Sequence, residues 1–273
     1  MEPGGSQGFS GTPCTAICPG YHRQVDSLHE QEIEIRTAAG TADAVVFRPD
    51  GEGLWPGVLH LTDIGGIRPS HRDMARGLAA EGYVVLMPNV FYRTARPPVF
   101  DFKPGSGEVL AMERFAALTA PLNPETLESD AIAYVNCLDG LDRVRRGKLG
   151  VVGYCYTGAV ALRVAAACPD KIAAAASFHG GRLFTDQPDS PHLLLPRIQA
   201  RLYFAHAVKD RSMPDEAILG LDEALEAWGG EYESEVYEGA YHSWTASDSP
   251  VYNAEQAERA FTKLKELFEE ALQ

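Results

Sequence analysis

Residues 149–159 read Leu-Gly-Val-Val-Gly-Tyr-Cys-Tyr-Thr-Gly-Ala: an apolar run, a turn between Gly153 and Gly158, then an Ala-rich helical stretch. No other segment constrains the fold as much. A strand that enters a helix through so short a turn belongs to a βαβ unit, with the strand buried in a parallel sheet and the helix lying on its face. The side chain at the apex, Cys155, is forced up and out of the sheet, so small neighbours are needed beside it. Gly153 meets that need before it; after it, Thr157 stands where Gly is common, and Gly158 follows. At a helix start the positive end of the peptide dipoles favours a thiolate, and the N–H of Tyr156 faces a developing oxyanion. A buried, inert structural cysteine is the alternative. Agreement of strand, turn and helix favours a nucleophile.

The same alternation fills the rest of the chain. Residues 32–36 alternate strictly and 42–48 form a short apolar run, with Ala39-Gly40 between them, which predicts an antiparallel hairpin at a sheet edge. Strands are expected at 57–62, 83–87, 148–153, 173–178, 200–205 and 232–237, and helices at 70–81, 124–141, 157–167, 214–228 and 254–271. The pattern predicts an α/β fold with a mostly parallel sheet and no internal repeat. A proline-rich excursion over 91–122, with a short helix near 108–118, is expected above the strand ends, where such sheets bind ligands. Residues 1–28 are rich in Gly, Ser and Pro and read as an irregular arm; 29–273 read as a single domain.

Charge narrows the partners. Asp and Glu number 38 against 24 Lys and Arg, a formal net charge of -14, so neither nucleic acid nor an anionic membrane is an expected partner. No window approaches a membrane span and no secretory leader is visible, so a soluble cytoplasmic protein is expected. Five cysteines are an odd number and do not form a disulfide framework. Cys14 and Cys18 lack the second ligand pair of a zinc site, and no metal is expected there.

Where a strand–turn–helix carries a nucleophile, an acid and then a base follow on loops after later strands. Both are present in that order. The run Arg201-Leu-Tyr-Phe-Ala205 leads into His206-Ala-Val-Lys-Asp210, and Ser234-Glu-Val-Tyr237 leads into Glu238-Gly-Ala-Tyr-His242-Ser-Trp244. Taken singly, Asp210 is equally a helix-start carboxylate and His242 a surface histidine; jointly they fit an acid and base for Cys155. His60 on a strand and His71 on a helix are weaker candidates, and His179 reads as a pocket wall.

Taken together, Thr62-Asp-Ile-Gly-Gly66, Pro88-Asn-Val-Phe-Tyr-Arg93, Gly153-Tyr-Cys-Tyr-Thr-Gly158, residues 206–214 and Tyr241-His-Ser-Trp244 resemble the dienelactone hydrolase family over 46–267. The resemblance implies an α/β-hydrolase fold of about eight strands and carboxymethylenebutenolidase-like cleavage of a small ester or lactone without a cofactor. It maps the catalytic triad onto Cys155, Asp210 and His242, and the oxyanion hole onto the amides of Ile64 and Tyr156. It further implies that Asp63 pairs with the resting thiol, that Arg93 binds a substrate carboxylate, and that Tyr154, His179 and Trp244 bind substrate or tune the thiol. A monomer or small homo-oligomer is expected. Three positions depart from the family: Asp63 replaces Glu, Tyr241 replaces Gly, and Ala246 replaces a second carboxylate-binding arginine. A thiol-dependent acyltransferase or peptidase, or a catalytically silent ligand-binding protein, is the competing reading on the same scaffold.

Overall fold

The apolar runs assemble into one eight-stranded sheet in the order β1-β2-β4-β3-β5-β6-β7-β8. The strands are β1 (Leu28–Thr37), β2 (Gly40–Pro49), β3 (Gly57–Leu61), β4 (Val84–Pro88), β5 (Leu149–Tyr154), β6 (Ile172–Phe178), β7 (Arg201–Ala207) and β8 (Tyr232–Tyr237). This computed structural model describes residues 28–100 and 109–272. β1 pairs antiparallel with β2, and β2 with β4, whereas every pairing from β4 through β3 to β8 is parallel. The expected edge hairpin and parallel core are both present.

Every residue of β3, β4 and β5 is buried. Covered on both faces, such strands read as unbroken apolar runs, and their alternate residues feed two cores. Leu59 and Val151 face the core under α3 (Pro124–Asp139), α4 (Tyr156–Ala167) and α5 (Asp215–Trp228). Val58 and Val152 face the core under α1 (Pro69–Ala80) and α6 (Ala254–Ala271). Helix α3 starts where Asn123 and Thr126 cap each other reciprocally, with Pro124 at its first position.

The chain leaves β3 for β4 on one side and returns to β5 on the other, so the carboxyl ends of β3 and β5 flank a topological switch point. A crevice opens there in sheets of this kind. The register pairs Leu61 with Gly153, which sets the loop after β3 beside the turn that carries Cys155.

The excursion after β4 includes α2 (Val109–Thr119), and Phe91 and Phe115 pack on the Tyr156 ring, so it reaches the turn as expected. Three details differ from the sequence expectation. Leu28 already belongs to β1, α3 ends at Asp139, and a 3-10 helix spans Pro191–Arg197, too short and proline-rich to show a period. Cys14, Cys18 and the remainder of the expected arm lie outside the described residues. Among the described residues no helix is long and apolar enough to cross a membrane.

Candidate active site

Cys155 holds φ 56° and ψ −122°, a backbone conformation that a residue with a Cβ rarely adopts and that costs about 1–3 kcal/mol. The surroundings hold it there. Its N–H is shared between Phe178 O at 3.0 Å and His179 Nδ1 at 3.1 Å, and its carbonyl accepts from Gly158 N at 3.1 Å and Gly181 N at 3.3 Å. A Cβ on Gly153 would collide with the Thr157 carbonyl, and one on Gly158 would lie 2.6 Å from Gly180 Cα. Thr157 turns out to be a fastener. Its hydroxyl accepts from Tyr154 N at 3.0 Å and lies 3.0 Å from Leu61 O, joining the turn to the end of β3 in a way that glycine at this position would not.

The loops after β7 and β8 meet over this turn. His242 Nε2 lies 3.0 Å from Cys155 Sγ, and its Nδ1 lies 2.6 Å from Asp210 Oδ2. The second oxygen of Asp210 accepts from Ser212 N at 2.8 Å and Ser212 Oγ at 2.7 Å, so both lone-pair faces of the carboxylate are occupied. Burial disfavours the charge on Asp210, but the bonds from His242 and Ser212 outweigh it and hold the carboxyl below its ordinary value. Burial also disfavours a cation on His242, yet hydrogen bonds to Asp210 and Cys155 push its pKa up to about 10. An imidazolium is thus favoured beside the sulfur at neutral pH. The N–H groups of Tyr156 and Ile64 have no acceptor among the described residues. They come from the first turn of α4 and from the loop after β3, the two segments that Thr157 ties together.

A family model for the dienelactone hydrolases matches residues 42–272. The chain belongs to the dienelactone hydrolase family. It is accordingly a hydrolase of the carboxylic ester class. A carboxymethylenebutenolidase of Rhodococcus opacus is 30% identical over 190 residues, covering 69% of this chain and 70% of that one. A Synechocystis protein, provisionally named a carboxymethylenebutenolidase, is 28% identical over 230 residues, covering 82% of this chain and 89% of its own. The crystal structure of a Klebsiella pneumoniae protein, provisionally named a dienelactone hydrolase, superposes with a TM-score of 0.78 at 22% identity, covering 89% of this chain and 98% of that one.

The loop after β3 does not follow the expectation drawn from the dienelactone hydrolase resemblance. Asp63 is held by Arg68, Nη1 at 2.5 Å and Nη2 at 2.8 Å, and accepts from Gly65 N at 2.8 Å. The hydrogen-bond partner of the thiol is His242 instead. Burial works against the Asp63 charge, while His71 and Arg68 outweigh it and hold the carboxyl well below its usual range. Arg68 also grips Asp248, Nε at 2.7 Å and Nη2 at 3.2 Å. His60 and His71 form a buried pair, 2.9 Å apart, and His71 Nε2 lies 3.2 Å from Asp63 N, bracing the base of the same loop.

Arg93 likewise departs from its expected role. Its guanidinium forks the carboxylate of Asp130, which is 2% exposed, and stacks over Tyr92. Of the other neighbouring arginines, Arg68 is held by two carboxylates and Arg96 is paired with Asp43. Ala246, where a second arginine was expected from the family, is buried.

Tyr154, His179 and Trp244, expected to bind substrate or tune the thiol, are all buried, and of the three His179 touches both the Cys155 backbone and the His242 ring. Tyr154 stacks on Phe178 and lies against His60 and His71, while Trp244 stacks on Tyr237 and meets His179 edge-on. Burial, then the neighbouring His242, pushes His179 well below the usual histidine range, so a neutral ring accepts the Cys155 N–H and turns its other nitrogen to Thr245 Oγ1 at 2.8 Å. These large rings fill the space under the turn and over-determine its strained backbone. Tyr241 is half exposed.

Proposed function

We propose that this dienelactone hydrolase family member cleaves a small ester or lactone through an acyl-enzyme on Cys155. One observation carries the reading: an unbroken hydrogen-bonded line from Asp210 through His242 to Cys155 Sγ, ending at the strained apex of the β5–α4 turn. Attack requires the thiol proton to pass to His242, which leaves a thiolate beside an imidazolium. The sulfur attacks the carbonyl carbon, and the carbonyl π pair moves to oxygen, where the amides of Tyr156 and Ile64 stabilise it. Collapse restores the carbonyl and breaks the C–O bond, with His242 giving its proton to the departing alcohol; in a lactone that alcohol stays tethered. His242, now neutral and oriented by Asp210, takes a proton from water as the hydroxide attacks the thioester. Collapse then releases the carboxylic acid, and the thiolate–imidazolium pair is regenerated.

The direct test is intact-mass analysis after rapid quenching with p-nitrophenyl acetate. One acetyl group is expected on the protein, localised by peptide mapping to the fragment that contains Cys155 and removed on incubation in water. Acetylation at another residue, or turnover with no trapped acyl group in the Cys155 fragment at any quench time, would overturn the assignment. Retained acyl group on an added amine or alcohol in place of water would make the chain a transferase.

A further inference from the structure

The loop between β3 and α1 is wound so that one backbone donor stays open. The four consecutive N–H groups of residues 63–66 can be accounted for one by one. Asp63 N–H points at His71 Nε2 at 3.2 Å, Gly65 N–H at Asp63 Oδ1 at 2.8 Å, and Gly66 N–H at Asp63 O at 3.0 Å. Of the four, only Ile64 N–H has no acceptor among the described residues. Every filled bond involves Asp63, so the direction of the Ile64 amide follows from how Asp63 is held.

Two side chains hold it. Arg68, partly open to solvent, forks the carboxylate. His71, wholly buried in the first turn of α1, reaches the backbone as well. Its Nε2 lies 3.2 Å from Asp63 N and 3.3 Å from Asp63 Oδ2, so a bare nitrogen accepts from the amide and a protonated one donates to the carboxylate. In either state the ring keeps Asp63 in place. At its other nitrogen His71 is fixed in turn, since Nδ1 lies 2.9 Å from His60 Nε2. Both imidazoles lie against Tyr154, the residue before Cys155. His60 sits on β3 with no exposed surface, and its Nδ1 is sealed without a partner. An unsatisfied buried nitrogen destabilises a fold, and two apolar side chains would avoid it. What the histidine pair provides in exchange is a fixed Asp63.

We propose that His71, braced by His60, is a positioning residue of the reaction, which aims the Ile64 amide at the oxyanion. Being buried, it meets no substrate and acts through Asp63. The inference rests on the acyl-enzyme reading above, which gives the oxyanion to the amides of Tyr156 and Ile64. The Tyr156 amide is fixed by the start of α4, whereas the Ile64 amide belongs to a loop and depends on these side chains.

Two reactions of the same sulfur separate this role from general support of the site. Acylation by p-nitrophenyl acetate passes through an oxyanion, whereas alkylation by iodoacetamide displaces iodide and forms none. His71→Leu removes the grip on Asp63, and His71→Gln keeps a donor and an acceptor on a side chain of similar reach. In His71→Leu, kcat/KM for the ester is expected to fall about a hundredfold, the usual weight of one oxyanion donor, while the alkylation rate of Cys155 stays within about threefold of wild type. His71→Gln should recover ester turnover to within about tenfold of wild type, with circular dichroism reporting folding. If His71→Leu does not fold, His60→Leu decides: with the brace gone, the ratio of acylation to alkylation should fall by about threefold or more. Both rates falling together, neither falling, or a glutamine protein no better than the leucine one would overturn the assignment. Ester turnover surviving in Cys155→Ala would instead defeat the acyl-enzyme reading. Hydrogen exchange of the Asp63 amide, slow in wild type and His71→Gln and fast in His71→Leu, would then still decide whether His71 holds the loop.

Discussion

Replacing Cys155 by Ala should, on the acyl-enzyme reading proposed above, lower ester turnover by about four to six orders of magnitude, because removal of a nucleophile from a cooperating triad leaves only binding and oxyanion stabilisation. Stability should change by no more than about 1 kcal/mol, since the thiol sits at the apex of the turn, loses little packing, and gives way to a residue with the same Cβ constraint at φ 56°. Cys155→Ser should stay close to Cys155→Ala in rate: an alkoxide is far harder to form than a thiolate beside the same imidazole. Initial rates on p-nitrophenyl acetate, with chemical denaturation as the control, decide this. Turnover within tenfold of wild type in the alanine protein would remove Cys155 from the mechanism.

Asp210→Asn is expected to lower kcat by about three to four orders of magnitude and to move the pH dependence of the fold. The sign follows from linkage. His242 titrates at about 10 when folded, above its ordinary value, so the cation adds stability that is complete below about 6.5 and is lost as pH rises through about 10. Without the Asp210 charge the folded value falls, and the alkaline loss moves to lower pH. Asp210 itself is held low, so its own contribution is present above about 3.9 and disappears as pH falls through its lowered value; the asparagine protein lacks that acidic limb. Denaturation midpoints between acid and alkaline pH, beside the pH–rate profile, provide the reading. Identical curves for the two proteins would mean that Asp210 does not orient His242. Asp248, the next carboxylate in that loop, is already held by Arg68 and is a poor substitute.

Much of this was legible because it is local. The strand–turn–helix around Cys155 lies within eleven consecutive residues, and its chemistry needs no distant partner to be seen. Asp210 and His242 are expected from chain order, each on a loop after an apolar strand, and the structure sets His242 beside the Cys155 sulfur and Asp210 beside His242. What the sequence did not carry were side-chain directions and long-range pairings. Tyr154 and Trp244 adjoin the motifs, but whether an aromatic ring there lines a pocket or supports the turn depends on which way the backbone faces, and both point inward. Arg93 meets an acid 37 residues away in the middle of α3, where no spacing rule links them.

Arg68 and Asp248 stand 180 residues apart, one at the start of α1 and the other beyond the loop that carries His242. A single guanidinium therefore fastens the loop that carries Ile64 to the loop that carries His242. His71 and His179 brace the two segments separately, and Arg68 is the link between them, so a fluctuation that lifts residues 242–248 also strains the clamp on Asp63. Amide exchange should accordingly show 63–66 and 242–248 opening at one common rate, while Arg68→Met gives each its own. Two unrelated rates in the wild-type protein would contradict the coupling. On gradual denaturation, the loops that carry Ile64 and His242 should then come away as one event, with the sheet beneath still standing.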